Sequence, residues 1–246
     1  MSRQLAALGP YFAADSHDPN AEPPRPWRRM GELLDDADVL AARIDAVRGY
    51  LAAAGGLSPE SIELRVAASV THLGLAARML SPLFALAVWD LRLPAPSPVS
   101  LRDLRWQPTL GSMFALSIPD LDHAHPSHGT ETNTDPQDSQ HRDIDSLATE
   151  LCEITRPFGL STHILWGNIA SALNGARIAL SAAEPRLAPR AKVELARLLQ
   201  RPSVVTMSRT TPEGRFQRRN CCLIYRAAPD RRGPLCGDCV LVARTP

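Results

Sequence analysis

Chemistry concentrates at the end of this chain. Four of the five cysteines lie between Arg218 and Leu241, in R-R-N-C-C-L-I-Y-R-A-A-P-D-R-R-G-P-L-C-G-D-C-V-L. They form an adjacent pair, Cys221 and Cys222, and a second pair, Cys236 and Cys239, flanking Gly237 and Asp238. Four thiolates suit tetrahedral zinc or an iron–sulfur cluster. A C-x2-C turn with glycine inside it points backbone N–H groups at the sulfurs, as metal-bound thiolates require. The adjacent pair discriminates. Consecutive side chains diverge, most of all in an extended strand, so two neighbours reach one small ion with difficulty. A [2Fe–2S] cluster is larger and offers two iron atoms, so geometry favours it over zinc. Other readings stay open: Cys222 as a buried strand residue beside three ligands, a structural zinc knuckle, or a Cys236–Cys239 redox pair. The absence of a surrounding βαβ pattern weakens the last.

Other reactive residue types carry less. His123, His125, His128 and His141 fall in a polar stretch with no apolar period to fix their geometry, so they are not read as a metal site. His72 and His163 sit inside helical patterns as core or boundary residues. Cys152 occupies an apolar helical position and reads as a small buried hydrophobe. Trp166 and Asn168 open a long helix, where contact with a substrate or the cysteine loop and plain packing explain them equally. The chain contains neither G-x-G-x-x-G nor a P-loop, which argues against a Rossmann-type flavin or nicotinamide site. No acid–base dyad or nucleophile is evident.

The 246 residues suffice for a substantial core. A net charge of +1 gives no global field for nucleic acid or an acidic membrane, and no helix-turn-helix pattern is present. Cations crowd the stretch from Arg186 to Arg232, whereas Glu22 to Asp45 leans acidic. The N-terminus lacks a signal-peptide h-region, and the apolar run Leu80–Leu93, interrupted by Pro82 and Asp90, is too short to span a bilayer. These features predict a cytoplasmic protein without a membrane span, in which clustered cysteines bind metal or serve redox chemistry.

The scaffold reads as mainly α with small β elements. Residues 1–29 form an extended, Pro-rich lead-in along the surface, and 30–119 a helical region with a short β pair. Asp35 and Asp36 cap a helix whose inner face is Leu40, Ile44, Val47 and Leu51, stopped by Gly55-Gly56. Ser58-Pro59-Glu60 opens a second helix to about Leu80, and Ser81-Pro82 a third, very apolar one to Trp89. Two strands flank Gly111. Residues 120–143 read as a flexible polar linker and domain boundary. Residues 144–246 form a second helical region: a helix from Ile144 to Thr155, a long one from the Ser161 cap, one from Pro189, then two strands around a T-P-E-G turn and the motif at 218–241.

The block F-Q-R-R-N-C-C-L-I-Y-R … L-C-G-D-C-V-L, preceded by L-W-G-N-I-A-S-A-L at 165–173, resembles the FhuF-like ferric iron reductase family in its actinobacterial form. R-V-A-A-S-V-T-H-L-G-L-A-A-R-M-L-S-P and L-R-W-Q-P extend the likeness from about residue 58 onward. The resemblance implies a C-terminal iron–sulfur tail on a helical body, with Cys221, Cys222, Cys236 and Cys239 as ligands of a [2Fe–2S] cluster. It implies a cytoplasmic oxidoreductase that reduces the iron of ferric (hydroxamate) siderophores, with electrons from a separate donor, a ferredoxin or flavin reductase. Arg218, Arg219, Arg226, Arg231 and Arg232 would then favour the reduced, more negative centre, and Arg218, Arg219, Trp166 and Asn168 are candidates for tuning it or touching substrate. The spacer between the cysteine pairs is longer than in the best-known member, and the 120–143 loop is an insertion. The competing reading is a non-enzymatic metal-binding protein, either a zinc-stabilised siderophore-binding module or an iron–sulfur redox sensor.

Overall fold

A computed structural model describes residues 1–94, 98–109, 113–126 and 136–244, with side chains for all of these except 136–140 and 243–244. The fold is mainly helical with small β elements. Seven α-helices lie among the described residues: α1 Ser2–Ala7, α2 Glu32–Asp35, α3 Ala37–Ala54, α4 Leu64–Trp89, α5 Pro136–Thr155, α6 Thr162–Ala183 and α7 Ala188–Leu198.

Helix α4 is the axis on which the others pack: α3, α5 and α6 all lie against it. Its sequence is apolar on nearly every face, and the fold buries nearly every face, including Val66, Leu75, Met79, Leu80, Phe84 and Val88. Its length and composition alone would allow it to cross a membrane, but 78% of its most apolar window is buried inside the fold. The break expected at Ser81-Pro82 does not occur, and one helix runs through both residues. Proline removes one main-chain hydrogen bond there. Burial of Leu80, Leu83 and Phe84 on both sides offsets that loss, and the Ser81 hydroxyl donates to the Ala77 carbonyl at 2.6 Å. Ser58-Pro59-Glu60 opens only a short 3-10 turn, and α4 begins at Leu64.

The helix ends follow local chemistry. Asp36 caps α3 by accepting from the Asp38 N–H at 2.9 Å, and Gly56 takes a left-handed φ of 64° past its end. Ser161 caps α6 by accepting from the Ile164 N–H.

The lead-in at residues 1–29 is more structured than its composition predicts. It contains α1 and places Leu5 and Phe12 fully inside the core. It also supplies two strands, β1 Asp15–His17 and β2 Arg28–Arg29. Next in the chain come β3 Leu91–Arg92, β4 Arg105–Gln107, β5 Ala115–Pro119 and β6 His125–Pro126. The main sheet has the order β1-β5-β4-β2, with β1 parallel to β5 and the other pairs antiparallel, while β3 and β6 form a separate pair. The β4–β5 pair matches the two strands expected around position 111, which itself lies outside the described residues.

The expected boundary at 120–143 does not separate two cores. One cluster of buried side chains runs from Leu5 through α4 to Leu198 and Leu223. Helix α5 begins at Pro136, ahead of the predicted Ile144, and buries His141 and Asp143. His141 Nε2 lies 2.5 Å from Glu194 Oε1 of α7, so this histidine ties two helices together. His123 is exposed near Asp120, His125 accepts from Arg92 Nε at 3.0 Å, and His128 lies outside the described residues.

After α7 the chain forms β7 Ser208–Thr210 and β8 Phe216–Arg218, an antiparallel pair turning at Gly214 (φ 78°). The strand stops at Arg218, short of the cysteines.

Candidate metal centre

The C-terminal tail folds back on α4 and α6 and brings the two cysteine pairs together. Leaving β8, the chain turns through Leu223, whose φ is 70°. A branched aliphatic residue is uncommon in that left-handed region, and burial of the Leu223 side chain holds it there. The turn replaces the extended geometry in which neighbouring side chains diverge. The thiols of Cys221 and Cys236 both interact with Cys222, and Cys239 lies close enough for its charge to act on Cys221 and Cys236.

Backbone N–H groups are aimed at the sulfurs in a repeated pattern, each from the residue two positions on. The Leu223 N–H donates to Cys221 Sγ at 3.3 Å and the Leu241 N–H to Cys239 Sγ at 3.3 Å. The Ile224 N–H does the same for Cys222. N–H donors at sulfur stabilise thiolate over thiol. Cys222 is held well below an ordinary thiol by the S–H groups of Cys221 and Cys236, with Arg218 and the Ile224 N–H adding to the effect. Cys221 and Cys236 are pushed up, first because each shares its proton with Cys222 and then by burial.

Arg218 is the counter-charge. The residue is 0% exposed. Its Nη2 donates to the Asn220 Oδ1 at 2.7 Å and the Ile164 carbonyl at 3.3 Å, while Nε and Nη1 have no partner. Burial lowers its pKa, and Cys222, Cys236, Cys221 and Asp238 pull it back up. A buried guanidinium without a full complement of partners is costly unless an anion sits beside it. Here the anions available are the thiolates and Asp238.

Helices α4 and α6 fix the loop. Ser69 Oγ of α4 donates to the Cys222 carbonyl at 2.8 Å, and Asn168 Nδ2 of α6 lies 3.1 Å from the Ser69 carbonyl and 3.2 Å from its hydroxyl. Asn168 also lies 3.3 Å from His72 Nδ1, and His72 Nε2 lies 3.6 Å from Cys152 Sγ. Burial, with the Arg218 charge second, pulls His72 down to about 3, so its ring is neutral. Burial pushes the Cys152 thiol up to about 12, consistent with an inert core residue. The second cysteine pair is docked through Asp238, which accepts from Asn174 Nδ2 at 3.2 Å and whose carbonyl accepts from the Arg218 N–H at 3.0 Å.

The other candidates are placed as follows. Asn168 is fully buried and positions the loop through Ser69. Trp166 is half-buried and packs against the core. Arg219 is exposed and donates to the Ser208 carbonyl. Arg226 pairs with Glu63 at 2.6 Å and Arg231 lies 3.7 Å from it, pinning the tail to the start of α4. His163 is exposed in the first turn of α6. Sequence reasoning missed Ser69, Gly167 and Asn220. A Cβ on Gly167 would sit 2.2 Å from Asn220 Oδ1, so the tail lies directly on this glycine. The one available signal was glycine inside a helical pattern, which marks close approach of another chain segment.

Among the described residues no group of three or more His, Cys, Asp or Glu side chains is arranged to hold a metal ion. The chemistry of the residues is nonetheless the kind an iron–sulfur centre uses: four thiols in two sequence pairs, N–H groups aimed at three of the sulfurs, and a buried cation with two unused donors. Comparison with family models, curated proteins and solved structures gives no match for this chain.

Proposed function

We propose that this protein is a ferric-siderophore reductase that carries a [2Fe–2S] centre on Cys221, Cys222, Cys236 and Cys239. The observation that carries the reading is the meeting of the two cysteine pairs, with Cys221, Cys222 and Cys236 beside Arg218, a fully buried cation whose Nε and Nη1 are unpartnered. Held by these four cysteines, such a centre would supply one-electron transfer, from a donor protein to the Fe(III) of the substrate, which would become Fe(II). The four cysteines hold the centre, and the N–H groups of Leu223, Ile224 and Leu241 disperse thiolate charge. Arg218 offsets the extra negative charge of the reduced state. Ser69, Asn168 and Asn174 keep the two turns seated on the helices. Cys221 and Cys236 are half-buried and border solvent, while Cys222 and Cys239 are buried, so one side of the set faces outward where a donor or substrate can approach. Siderophores bind Fe(III) far more tightly than Fe(II), so one electron releases the metal.

The test is an absorption and EPR spectrum of anaerobically purified protein before and after dithionite, with iron, sulfide and zinc assayed. A red-brown protein with two irons and two sulfides that bleaches and gains an EPR signal, and that then reduces a ferric trihydroxamate, supports the reading. A colourless protein with one zinc would sink it in favour of a structural zinc module.

A further inference from the structure

A cleft of about 380 Å³ opens between α4 and α6 directly beside the cysteine centre. Cys236, Gly237 and Asp238 form one end, and Arg218 borders the same space. The α6 wall is built of small residues, Ala172, Gly175, Ala176 and Ala179, and Tyr11 stands at the rim, 44% exposed. One feature points to a ligand rather than to loose packing. Arg218 is fully buried with two unpartnered N–H donors. Gly175 lies mid-helix, where glycine is unfavourable, yet a Cβ there would meet nothing within 4 Å. No neighbouring side chain demands that glycine.

Resting on the reductase reading above, we infer that this cleft is where the ferric hydroxamate complex docks. Its iron-bound hydroxamate oxygens face Arg218 and Cys236, and an aliphatic arm lies along Ala172, Gly175, Ala176 and Ala179. The chemistry matches on both counts. Hydroxamate oxygens carry negative charge, which the neighbouring guanidinium attracts, and methylene spacers are apolar chains of the width that small side chains admit. Only the iron-bearing edge has to approach the cysteine centre. The rest of the complex remains in solvent at the open mouth. The electron comes from the external donor, the substrate Fe(III) is reduced to Fe(II), and the protein returns to its oxidised state.

A second groove, about 660 Å³, lies on the other flank of α4 between α3 and the N-terminal segment, and Gly74 lines it with equally open space at its Cβ position. The two glycines therefore permit a matched test. Leucine at either position projects into open space and improves helix propensity, so folding is preserved. The probe is the redox-inert Ga(III) complex of desferrioxamine, with binding to the purified protein followed by calorimetry. Gly175→Leu should weaken binding by about tenfold or more, and Gly74→Leu should stay within about twofold of wild type. Loss confined to Gly74→Leu, equal affinity for Gly175→Leu and wild type, or no binding to wild type would each overturn the assignment. Gallium binding involves no electron transfer, so failure here is separate from failure of the cofactor reading, which the spectra report.

Discussion

The Ser69 hydroxyl donates to the Cys222 carbonyl at 2.8 Å, joining the second turn of α4 to a cysteine 153 residues later in the chain. Both groups are buried, and the same hydroxyl lies 3.2 Å from Asn168 Nδ2, so the bond belongs to a network with no water to replace it. Ser69→Ala leaves the carbonyl unsatisfied, at a cost of about 1–3 kcal/mol. The expected outcome is a lower urea midpoint together with a lower iron content per chain. Unchanged values for both would show that the contact does not seat the cysteine loop.

Two glycines on α6 should respond to alanine with opposite signs. At Gly167 the added carbon would lie 2.2 Å from the Asn220 side chain, whose Oδ1 accepts from Arg218. The tail must shift, with an overpacking cost of about 1–3 kcal/mol and a disturbed Arg218. At Gly175 the same carbon meets nothing, and Gly167→Ala should therefore be matched by a gain of about 0.4–1 kcal/mol for Gly175→Ala. Thermal unfolding of the two variants side by side checks this, and equal signs would contradict the packing described here.

The parts of the molecule legible in the sequence were those governed by local chemistry. The Asp36 and Ser161 caps, the Gly55-Gly56 stop and the turn at Gly214 all act within a few residues, and each appears where its residues dictate. Elements decided by burial were not legible. Pro82 reads as a helix start, but the fold surrounds it and α4 continues. His141 reads as part of a polar loop because its partner, Glu194, is 53 residues away. The candidate site divides in the same way. The cysteine spacing is visible in one stretch of chain, whereas Ser69 and Gly167 gain meaning only when α4 and α6 pack beneath the tail. The left-handed turn at Leu223 was equally hidden, since that residue type does not advertise it.

Asp143 gives a pH signature. Burial raises its carboxyl to about 6, against the hydrogen bond it accepts from the Val99 N–H at 2.9 Å. With the folded value above the unfolded one, the folded protein binds more protons between about pH 4 and pH 6. This group's contribution therefore falls as pH rises across that window, by roughly 1–3 kcal/mol in total. Asp143→Asn keeps an acceptor for Val99 and abolishes the titration. Stability measured by urea from pH 4 to pH 7 should show the variant gaining on wild type as pH rises, with the difference level above about pH 6. A constant difference would mean Asp143 does not titrate in this range.

Cys222→Ser tests the adjacent pair. Cys222 is the sulfur that both Cys221 and Cys236 address, and it receives the Ile224 N–H. Its loss should abolish the iron–sulfur absorption and the reductase activity. The far-ultraviolet circular dichroism should change little, because the core cluster is built from the helices. A variant with a normal visible spectrum would mean that the remaining three cysteines and another donor hold the centre.

Arg218→Leu separates the charge of the guanidinium from its packing. The fully buried cation lies beside three of the cysteines, and a reduced iron–sulfur centre is more negative than an oxidised one. Removing the cation should therefore lower the midpoint potential, by on the order of tens of millivolts, where 59 mV corresponds to a tenfold change for one electron. Leucine leaves Asn220 Oδ1 without its donor but also removes the two unpartnered N–H groups, so the change in stability should be smaller than that of Gly167→Ala. Redox titration followed by EPR reads the potential directly. A midpoint equal to or above that of wild type would show that Arg218 serves the fold of the tail and does not tune the centre.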